Sequence, residues 1–389
     1  MLKTKTYKYR IYPTKEQLRL LERTLEICRI LYNSCLADRR NHYRSTGKGL
    51  SRIRQQEILR SDKKRIAALH EVHSQVLQDV LFRVERAFQA FFRRVKDRIG
   101  KAGYPRYKGE GQYDSICYPQ EPGFRLTAQG LQLSRIGTVK IRLHRRIDGT
   151  IKTCIIRRHA DTWHACFTVE YELVPIPVPR AAIGIDAGIR SFAVLSDGTV
   201  IDNPKHLKKS EKRLRKAQQR LSRRIKGSAN RRKTRKKVAR IHLRIRNQRA
   251  DFHHKMSRSL VNQYGFIAVE GLHIQGMVRN HHLAKSISDA GWGQFFNFLA
   301  YKAENAGCRL ERIPARYTSI SCSACGARVD KSLSDRVHAC SSCGLVLDRD
   351  HNAAINILNR AGTARINACG EAVLQDPSTM QEAVPVRAR

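Results

Sequence analysis

No stretch of this 389-residue chain is apolar over the roughly 18–20 residues that a membrane-spanning helix needs. The opening Met-Leu-Lys-Thr-Lys-Thr-Tyr-Lys lacks the apolar core of a secretory signal, so the expected location is cytoplasmic. Acids are also scarce. There are 33 Asp and Glu against 75 Lys and Arg, a formal net charge of +42. Self-repulsion on that scale does nothing for folding and calls for a polyanionic partner. Nucleic acid comes first, because Lys and Arg release the counterions condensed on phosphates. An anionic membrane surface comes second. A disulfide framework is missing too. Of eleven cysteines, four form a paired cluster, and the other seven (Cys28, Cys35, Cys117, Cys154, Cys166, Cys308, Cys369) are scattered and odd in number. That suits free thiols in a reducing compartment. An apolar fraction of 41% and this length allow two or three domains with their own cores.

Residues 2–12 alternate as a strand, with Tyr7, Tyr9 and Ile11 on one side and Lys8, Arg10 and Tyr12 on the other. Pro13 ends it, and Thr14 caps a helix with Glu16 and Gln17 in its first turn. Leu18, Leu21, Leu25, Cys28 and Leu31-Tyr32 keep helical spacing. A second helix is expected over 72–98, with Val76, Val80, Val84, Phe88 and Phe91-Phe92 as its apolar stripe, before Gly103-Tyr104-Pro105 breaks it. Short strands follow over 115–175, for example at 138–143 and 165–171. Pro175, Pro177 and Pro179 mark a linker, and a new unit starts at Arg180. There, Ala182–Asp186 is a buried strand ending in a carboxylate, and Asp197-Gly198 turns a hairpin. Residues 205–249 hold 21 Lys and Arg and a single acid, Glu211. Leu214, Ala217, Leu221 and Ile225 share one helical face. Gly227–Asn230 turns the chain, and Val238, Ile241 and Ile245 repeat the pattern. The segment reads as a basic helical hairpin. Because acids that could pair its charges are nearly absent, nucleic-acid contact outweighs a merely solvated face. Lys208, Lys212, Arg215, Arg223, Arg232, Lys236, Arg240 and Arg244 are the candidate contacts. Gly265–Glu270 is a second buried strand ending in a carboxylate. A helix near 288–306 has Trp292, Phe295, Phe296 and Leu299 as its core face.

Two chemistries emerge. Cys322, Cys325, Cys340 and Cys343 follow C-x2-C-x14-C-x2-C, and each C-x-x-C-Gly turn presents two sulfurs on one knuckle. Gly326 and Gly344 ease the backbone through those turns. Four thiolates complete a tetrahedron, so the expected ion is a structural zinc and His338 is not needed as a ligand. The alternative is a redox dithiol. Asp186, Glu270 and Asp350 each end or flank an apolar segment. Singly they could be a turn acid, a strand-end charge and a helix N-cap before Asn352. Together, carboxylates at adjacent strand ends would repel unless cations lay between them. Two Mg²⁺ about 3.5–4 Å apart would serve, activating a water and stabilising the leaving oxygen of a phosphodiester. Asp348 either faces the same site or is a nearby solvent charge; Asp350 is the better candidate, as the residue capping the helix that carries Asn352.

These residues resemble the TnpB family, transposon-encoded RNA-guided nucleases related to the compact type V CRISPR effectors. The resemblance covers nearly the whole chain. It runs through Tyr9-Arg10-Ile11-Tyr12-Pro13-Thr14 with Gln17 and Leu31-Tyr32-Asn33, then Phe88, Phe91-Phe92 and Gly103-Tyr104-Pro105-Arg106-Tyr107-Lys108. Gly184-Ile185-Asp186-Ala187-Gly188 is similar to the first motif of a RuvC nuclease and Val269-Glu270-Gly271-Leu272 to the second. Thr318-Ser319, the four cysteines and Asp348-Arg349-Asp350-His351-Asn352-Ala353-Ala354-Ile355-Asn356 are similar to the zinc module and third motif, and Asn367-Ala368-Cys369-Gly370-Glu371 to the tail. The resemblance implies an α+β and α/β multidomain protein. A wedge-like β-barrel would occupy 1–13 and 110–178, with a helical recognition lobe over 14–109. An RNase H-like RuvC nuclease domain would occupy 180–320 and 345–361, with the basic hairpin over 205–250, a zinc-ribbon module over 321–344 and a flexible tail over 362–389. It further implies a guide RNA from the transposon end, double-stranded target DNA cut beside a transposon-adjacent motif, a prokaryotic, nucleoid-associated setting, and Asp186, Glu270 and Asp350 as Mg²⁺-binding catalytic acids. Guide pairing would read sequence while the protein supplies a basic channel for the heteroduplex. Two alternatives use the same features: an RNA-guided DNA-binding regulator without cleavage, and a strand-transferring transposase.

Overall fold

The structure is a computed structural model, described here for residues 2–98, 102–174, 181–332 and 335–362 and for the backbone of 364–366 and 372–374. The prolines at 175, 177 and 179 and the motif at 367–371 lie outside the described residues. No helix among the described residues is long and apolar enough to cross a membrane. The chain divides into two compact units, 1–173 and 174–389.

The first unit begins with strand β1 (Leu2–Tyr12), continues through helices α1 (Lys15–Thr46), α2 (Arg52–Arg65) and α3 (Ser74–Lys96), and ends in β2 (Ser115–Tyr118), β3 (Phe124–Thr127), β4 (Gly130–Leu133), β5 (Gly137–Arg142), β6 (Thr150–His159) and β7 (Thr162–Glu172). The seven strands form one sheet in the order β2-β6-β7-β1-β5-β4-β3. β1 lies at its centre because Tyr7, Tyr9 and Ile11 point into the core, as their alternation requires. The sheet curls towards a barrel. Tyr118 on edge strand β2 donates to Ser134 O, just after β4 near the other edge, at 3.2 Å, and Phe124 of edge strand β3 reaches Phe167 of β7 with ring centroids 6.3 Å apart. At α1, Thr14 and Gln17 form a reciprocal cap: Gln17 N donates to Thr14 Oγ1 at 3.2 Å and Thr14 N to Gln17 Oε1 at 3.0 Å. α2 left no apolar signature because only Gln55 and Leu59 are buried along it. A buried arginine supplies its anchor instead: Arg39 donates to Gln55 Oε1 at 2.8 Å and to Glu85 Oε2 at 2.6 Å, joining all three helices. The α3 stripe stops at Phe88. Phe92, expected to continue it, is 60% exposed, since residue 92 has turned off the face set by Val76, Val80, Val84 and Phe88.

The second unit holds β8 (Ala182–Asp186), β9 (Ser191–Leu195), β10 (Val200–Asp202), α4 (His206–Ser222), α5 (Ala229–Gln263), β11 (Phe266–Glu270), α6 (Ile274–Met277), α7 (His281–Ala290), α8 (Trp292–Ala306), β12 (Arg309–Ile313), β13 (Val337–Ala339), β14 (Val346–Asp348) and α9 (Arg349–Arg360). Its main sheet runs β10-β9-β8-β11-β12. The hairpin β8-β9-β10 is antiparallel, while β8, β11 and β12 are parallel. That mixed five-stranded order is RNase H-like. Both faces are covered, so β8 and β11 are buried almost throughout. Ile183, Ile185, Ile267 and Val269 pack with Leu260, Trp292, Phe295 and Leu299 on one face. Ala182, Phe266 and Ala268 pack with Ile357 and Leu358 of α9 on the other. Gly184 is required for this second contact. A Cβ there would overlap Ala354 O and lie 2.9 Å from Leu358 Cβ.

The expected basic hairpin is α4 and α5, closed by Leu214, Ala217, Ile241 and Ile245. Ile225 departs from the expected face. α4 ends at Ser222, so Ile225 stands in the turn, 81% exposed. The expected helix at 288–306 is two helices, because Gly291 turns left-handed at φ +67° between α7 and α8. Within the segment expected to be a flexible tail, Ala364–Ile366 and Ala372–Leu374 pair as an antiparallel ribbon, β15 and β16.

Candidate active site and metal centre

β8 and β11 are parallel neighbours with Ile185 opposite Val269, so the next residues, Asp186 and Glu270, leave the sheet side by side. Their carboxyl groups face the same end of the sheet, near enough for each to perturb the other's proton affinity. Burial pushes both acids well above the ordinary carboxylate range. For Asp186, the charges of Glu270 and Asp350 push further in the same direction, against the pull of Arg349. The pair therefore binds protons more readily than ordinary carboxylates do. Asp350 comes from a third segment, the first turn of α9. There the helix dipole favours an anion, and its Oδ1 lies 3.6 Å from Arg349 Nε. The backbone at Gly188 passes beside it, since a Cβ there would lie 4.0 Å from Asp350 Oδ2. The three acids thus meet in the fold, though more loosely than the cysteines. Among the described residues, the only group of three or more such ligand atoms all within 4.8 Å of each other is the four thiols. Three partly buried carboxylates converging at one end of a sheet are a fitting donor set for a hard divalent ion.

Asp350 does not cap α9. Asp348 does, accepting from Asp350 N at 2.8 Å and His351 N at 3.2 Å. The reason is positional. Asp348 has the extended backbone of an N-cap, and its use there leaves the Asp350 carboxylate unengaged by the helix end.

The cysteine cluster is assembled locally. Cys322 and Cys343 sulfurs are 3.6 Å apart, as are those of Cys325 and Cys340. The two knuckles repeat one hydrogen-bond pattern. Gly326 N donates to Cys322 O and Gly344 N to Cys340 O, each at 2.9 Å, and Gly326 and Gly344 take left-handed φ of +77° and +75°. The set fits a four-coordinate structural ion, with no position left for substrate. α9 grips this module. Asn352 and Asn356 are buried polar residues on one helix face, separated by four positions, and both bond the backbone around Cys322. The sequence places both in the third motif but assigns neither a role of its own. The available signal was two asparagines on the core-facing side of an amphipathic helix.

All eight candidate nucleic-acid residues are exposed: Lys208, Lys212 and Arg215 on α4, Arg223 at its end, and Arg232, Lys236, Arg240 and Arg244 on α5. Arg231 is spent differently, its Nη1 closing the turn onto Leu221 O and Arg224 O at 2.8 Å each. A further missed residue fixes the hairpin base. The N-cap of α4, Lys205, supplies no cap, and Asp289 of α7 does so from a distance. It accepts from Leu207 N at 2.8 Å and Lys208 N at 3.1 Å, and faces Arg249 of α5 at 3.4 Å.

Fold and site define an RNase H-like protein with three carboxylates at one end of its sheet and a four-cysteine metal module beside them. Residues 164–281 match a family described as "Probable transposase", 292–357 one described as "Cas12f1-like, TNB domain", and 1–48 one described as "Helix-turn-helix domain". In the last of these the structure has β1 and one long helix. A Streptomyces pristinaespiralis protein described as "Putative RNA-guided DNA endonuclease" is 37% identical over 95% of this chain and 92% of its own length. An Escherichia coli K12 protein, "Putative RNA-guided DNA endonuclease InsQ", is 30% identical over 98% of each chain. The protein in "Cryo-EM structure of the Cas12f1-sgRNA-target DNA complex" shares the fold, with a TM-score of 0.56 over 92% of this chain and 99% of that one at 14% identity. The chain belongs to the TnpB family.

Proposed function

We propose that this protein is the RNA-guided DNA endonuclease of a transposable element, cutting target DNA beside a short transposon-adjacent motif. The observation that carries the reading is the parallel register of β8 and β11, which sets Asp186 and Glu270 at adjacent strand ends, with Asp350 in the first turn of α9, the helix packed on the same sheet. Those three residues would hold two Mg²⁺. Bound there, the ions supply an activated water and neutralise charge developing on a phosphodiester. The chain's own part is to hold the carboxylates in place. Burial raises the proton affinity of Asp186 and Glu270, and Arg349 sets the posture of Asp350. Cys322, Cys325, Cys340 and Cys343 hold a structural Zn²⁺. Lys208, Lys212, Arg215, Arg223, Arg232, Lys236, Arg240 and Arg244 contact the guide RNA or its heteroduplex with target DNA, a role supported by their shared exposure on two helices almost free of acids. The first unit serves as the wedge-like barrel with a helical recognition lobe; the second is the RuvC-like nuclease with its zinc ribbon. The descriptions of the two long relatives support the guided-nuclease reading over the alternatives.

The test is plasmid cleavage with Mg²⁺ by protein purified with its co-expressed transposon-end RNA, beside Asp186→Ala. Cutting that needs both the RNA match and Asp186 is the expected result. RNA-dependent binding without cutting by either protein would replace the proposal with a regulator, and RNA-independent activity with a transposase.

A further inference from the structure

Asn352 sits two residues after Asp350 and is fully buried. Its carboxamide spans the first metal ligand. Oδ1 accepts from Ser323 N at 2.9 Å and Nδ2 donates to Ser321 O at 2.8 Å, so the residues on both sides of Cys322 are tied to α9. One turn later, Asn356 Nδ2 adds bonds to Ser321 O at 2.7 Å and Thr318 O at 2.8 Å. The second knuckle reaches the same helix along the chain. β14 runs from it into Asp348 and Arg349, where Arg349 N donates to Arg336 O at 2.7 Å. The four thiolates join the two knuckles. The path from knuckle to ion, to second knuckle, to Asp348, to α9, to Asn352 and back is a closed ring, and Asp350 lies on it.

We infer that Asn352, supported by Asn356, is a positioning residue that makes the thiolate metal and the Asp350 carboxylate one mechanical unit, so that filling the cysteine site sets divalent-ion affinity at the acids. A carboxamide is required because the site presents one donor and one acceptor. Aspartate has the same shape but cannot donate to Ser321 O, and would bring a buried charge against it. Outer-shell partners of this kind change metal affinity by roughly 10- to 100-fold. The inference rests on the proposed role of the three acids.

The experiment titrates Mn²⁺ by electron paramagnetic resonance into the full chain freed of nucleic acid at high salt, with Asp186→Ala as the baseline. Wild type is measured with the thiolate metal present and after its removal by an organomercurial. Removal is expected to weaken the Asp186-dependent site about 10-fold. Asn352→Asp, zinc still bound, should show the same weakening and no further change on removal, the signature of coupling through that residue. A purely structural role would lower the melting temperature and leave the Mn²⁺ affinity alone. Equal affinity in wild type before and after removal, or in zinc-loaded Asn352→Asp and wild type, would overturn the inference. If Asn352→Asp loses its zinc, zinc-loaded Asn356→Leu, which cuts the two supporting bonds and keeps the Asn352 bridge, should weaken the site by less and still respond to metal removal, and Mn²⁺ affinity equal to that of wild type would overturn the inference. Absence of any Asp186-dependent Mn²⁺ site in wild type would instead remove the proposed function.

Discussion

Two clusters of metal-type ligands stand in the second unit, and they are built in opposite ways. The four thiols come from two short turns, close to within 4.8 Å of each other and leave no position open. The three carboxylates come from residues 186, 270 and 350, on two strand ends and a helix start, and remain only loosely gathered. Local turns hold the first cluster, each with its own backbone hydrogen bonds and glycine. The sheet register and the packing of α9 on Gly184 hold the second. A closed site spends its ligands on stability. An open one keeps buried, mutually repelling charge that costs stability until a cation arrives, which is the usual balance at a working site.

That contrast is most sharply tested at Asp186. Asp186→Asn should lower RNA-guided cleavage by more than about 100-fold, beyond the range of an outer-shell partner. It should also make the cation-free chain more stable. Asp186 and Glu270 both have folded values raised above the ordinary carboxylate range, so above that range the folded chain binds more protons than the unfolded one. The contribution of this pair to wild-type stability therefore falls as pH rises from the ordinary carboxylate range through neutrality. The melting temperature of Asp186→Asn should exceed wild type by about 2–4 °C near pH 8, the shift expected from ~1 kcal/mol in a domain of about 200 residues, and the gap should narrow towards pH 5. A gap that widened as pH fell would break the comparison. Cys340→Ser should act with the opposite sign on stability. It should cost the bound zinc, lower the melting temperature and reduce cleavage by about 10-fold through the ring that carries Asp350. Full zinc stoichiometry with full activity in this variant would separate the two sites.

Next in size is the hairpin. Changing Lys212, Arg215, Arg232 and Lys236 to Gln should weaken RNA binding and lower the salt slope by about 3, at roughly 0.7–0.9 per lost phosphate contact. An unchanged slope across salt concentrations would assign those exposed charges to solvent.

The same contrast decides what could be read without a structure. The cysteine spacing is a local signal, so the knuckles and their ligand set were visible. The acids were visible as strand-end carboxylates because Ala182–Asp186 and Phe266–Glu270 are buried on both faces and read as continuous apolar runs. Their meeting was expected from their joint presence and from the family resemblance, but periodicity alone could not derive it, since it depends on the parallel pairing of strands some eighty residues apart in sequence. Helix α2 was hidden because a buried Arg39–Gln55 bond, and not an apolar stripe, anchors it. The N-cap of α9 was misplaced because two aspartates stand two positions apart, and only backbone geometry separates the one that caps from the one that faces the site. Ile225 kept helical spacing past the end of its helix, where periodicity carries no structural information.

Asp289 offers the smallest effect and the cleanest control. It is a buried aspartate in this unit, and its environment is the reverse of that of the partly buried Asp186. Its two oxygens accept from Leu207 N and Lys208 N, the open start of α4, and it faces Arg249. Here the charge is satisfied in the folded chain and lost to water in the unfolded one. Asp289→Ala should therefore destabilise the protein by ~1–2 kcal/mol, the cost of removing a helix cap with a charge partner. Asp289→Asn should cost less, because one amide oxygen still accepts. Cleavage per folded molecule should stay within a few-fold of wild type, since the residue anchors the hairpin base and touches neither metal cluster. Thermal melts of Asp186→Asn and Asp289→Asn in one cation-free buffer at pH 8 give the comparison directly. The same chemical change should stabilise at the open site and destabilise at the cap, and two shifts of the same sign would mean that burial alone, and not the partners around each carboxylate, sets its energy.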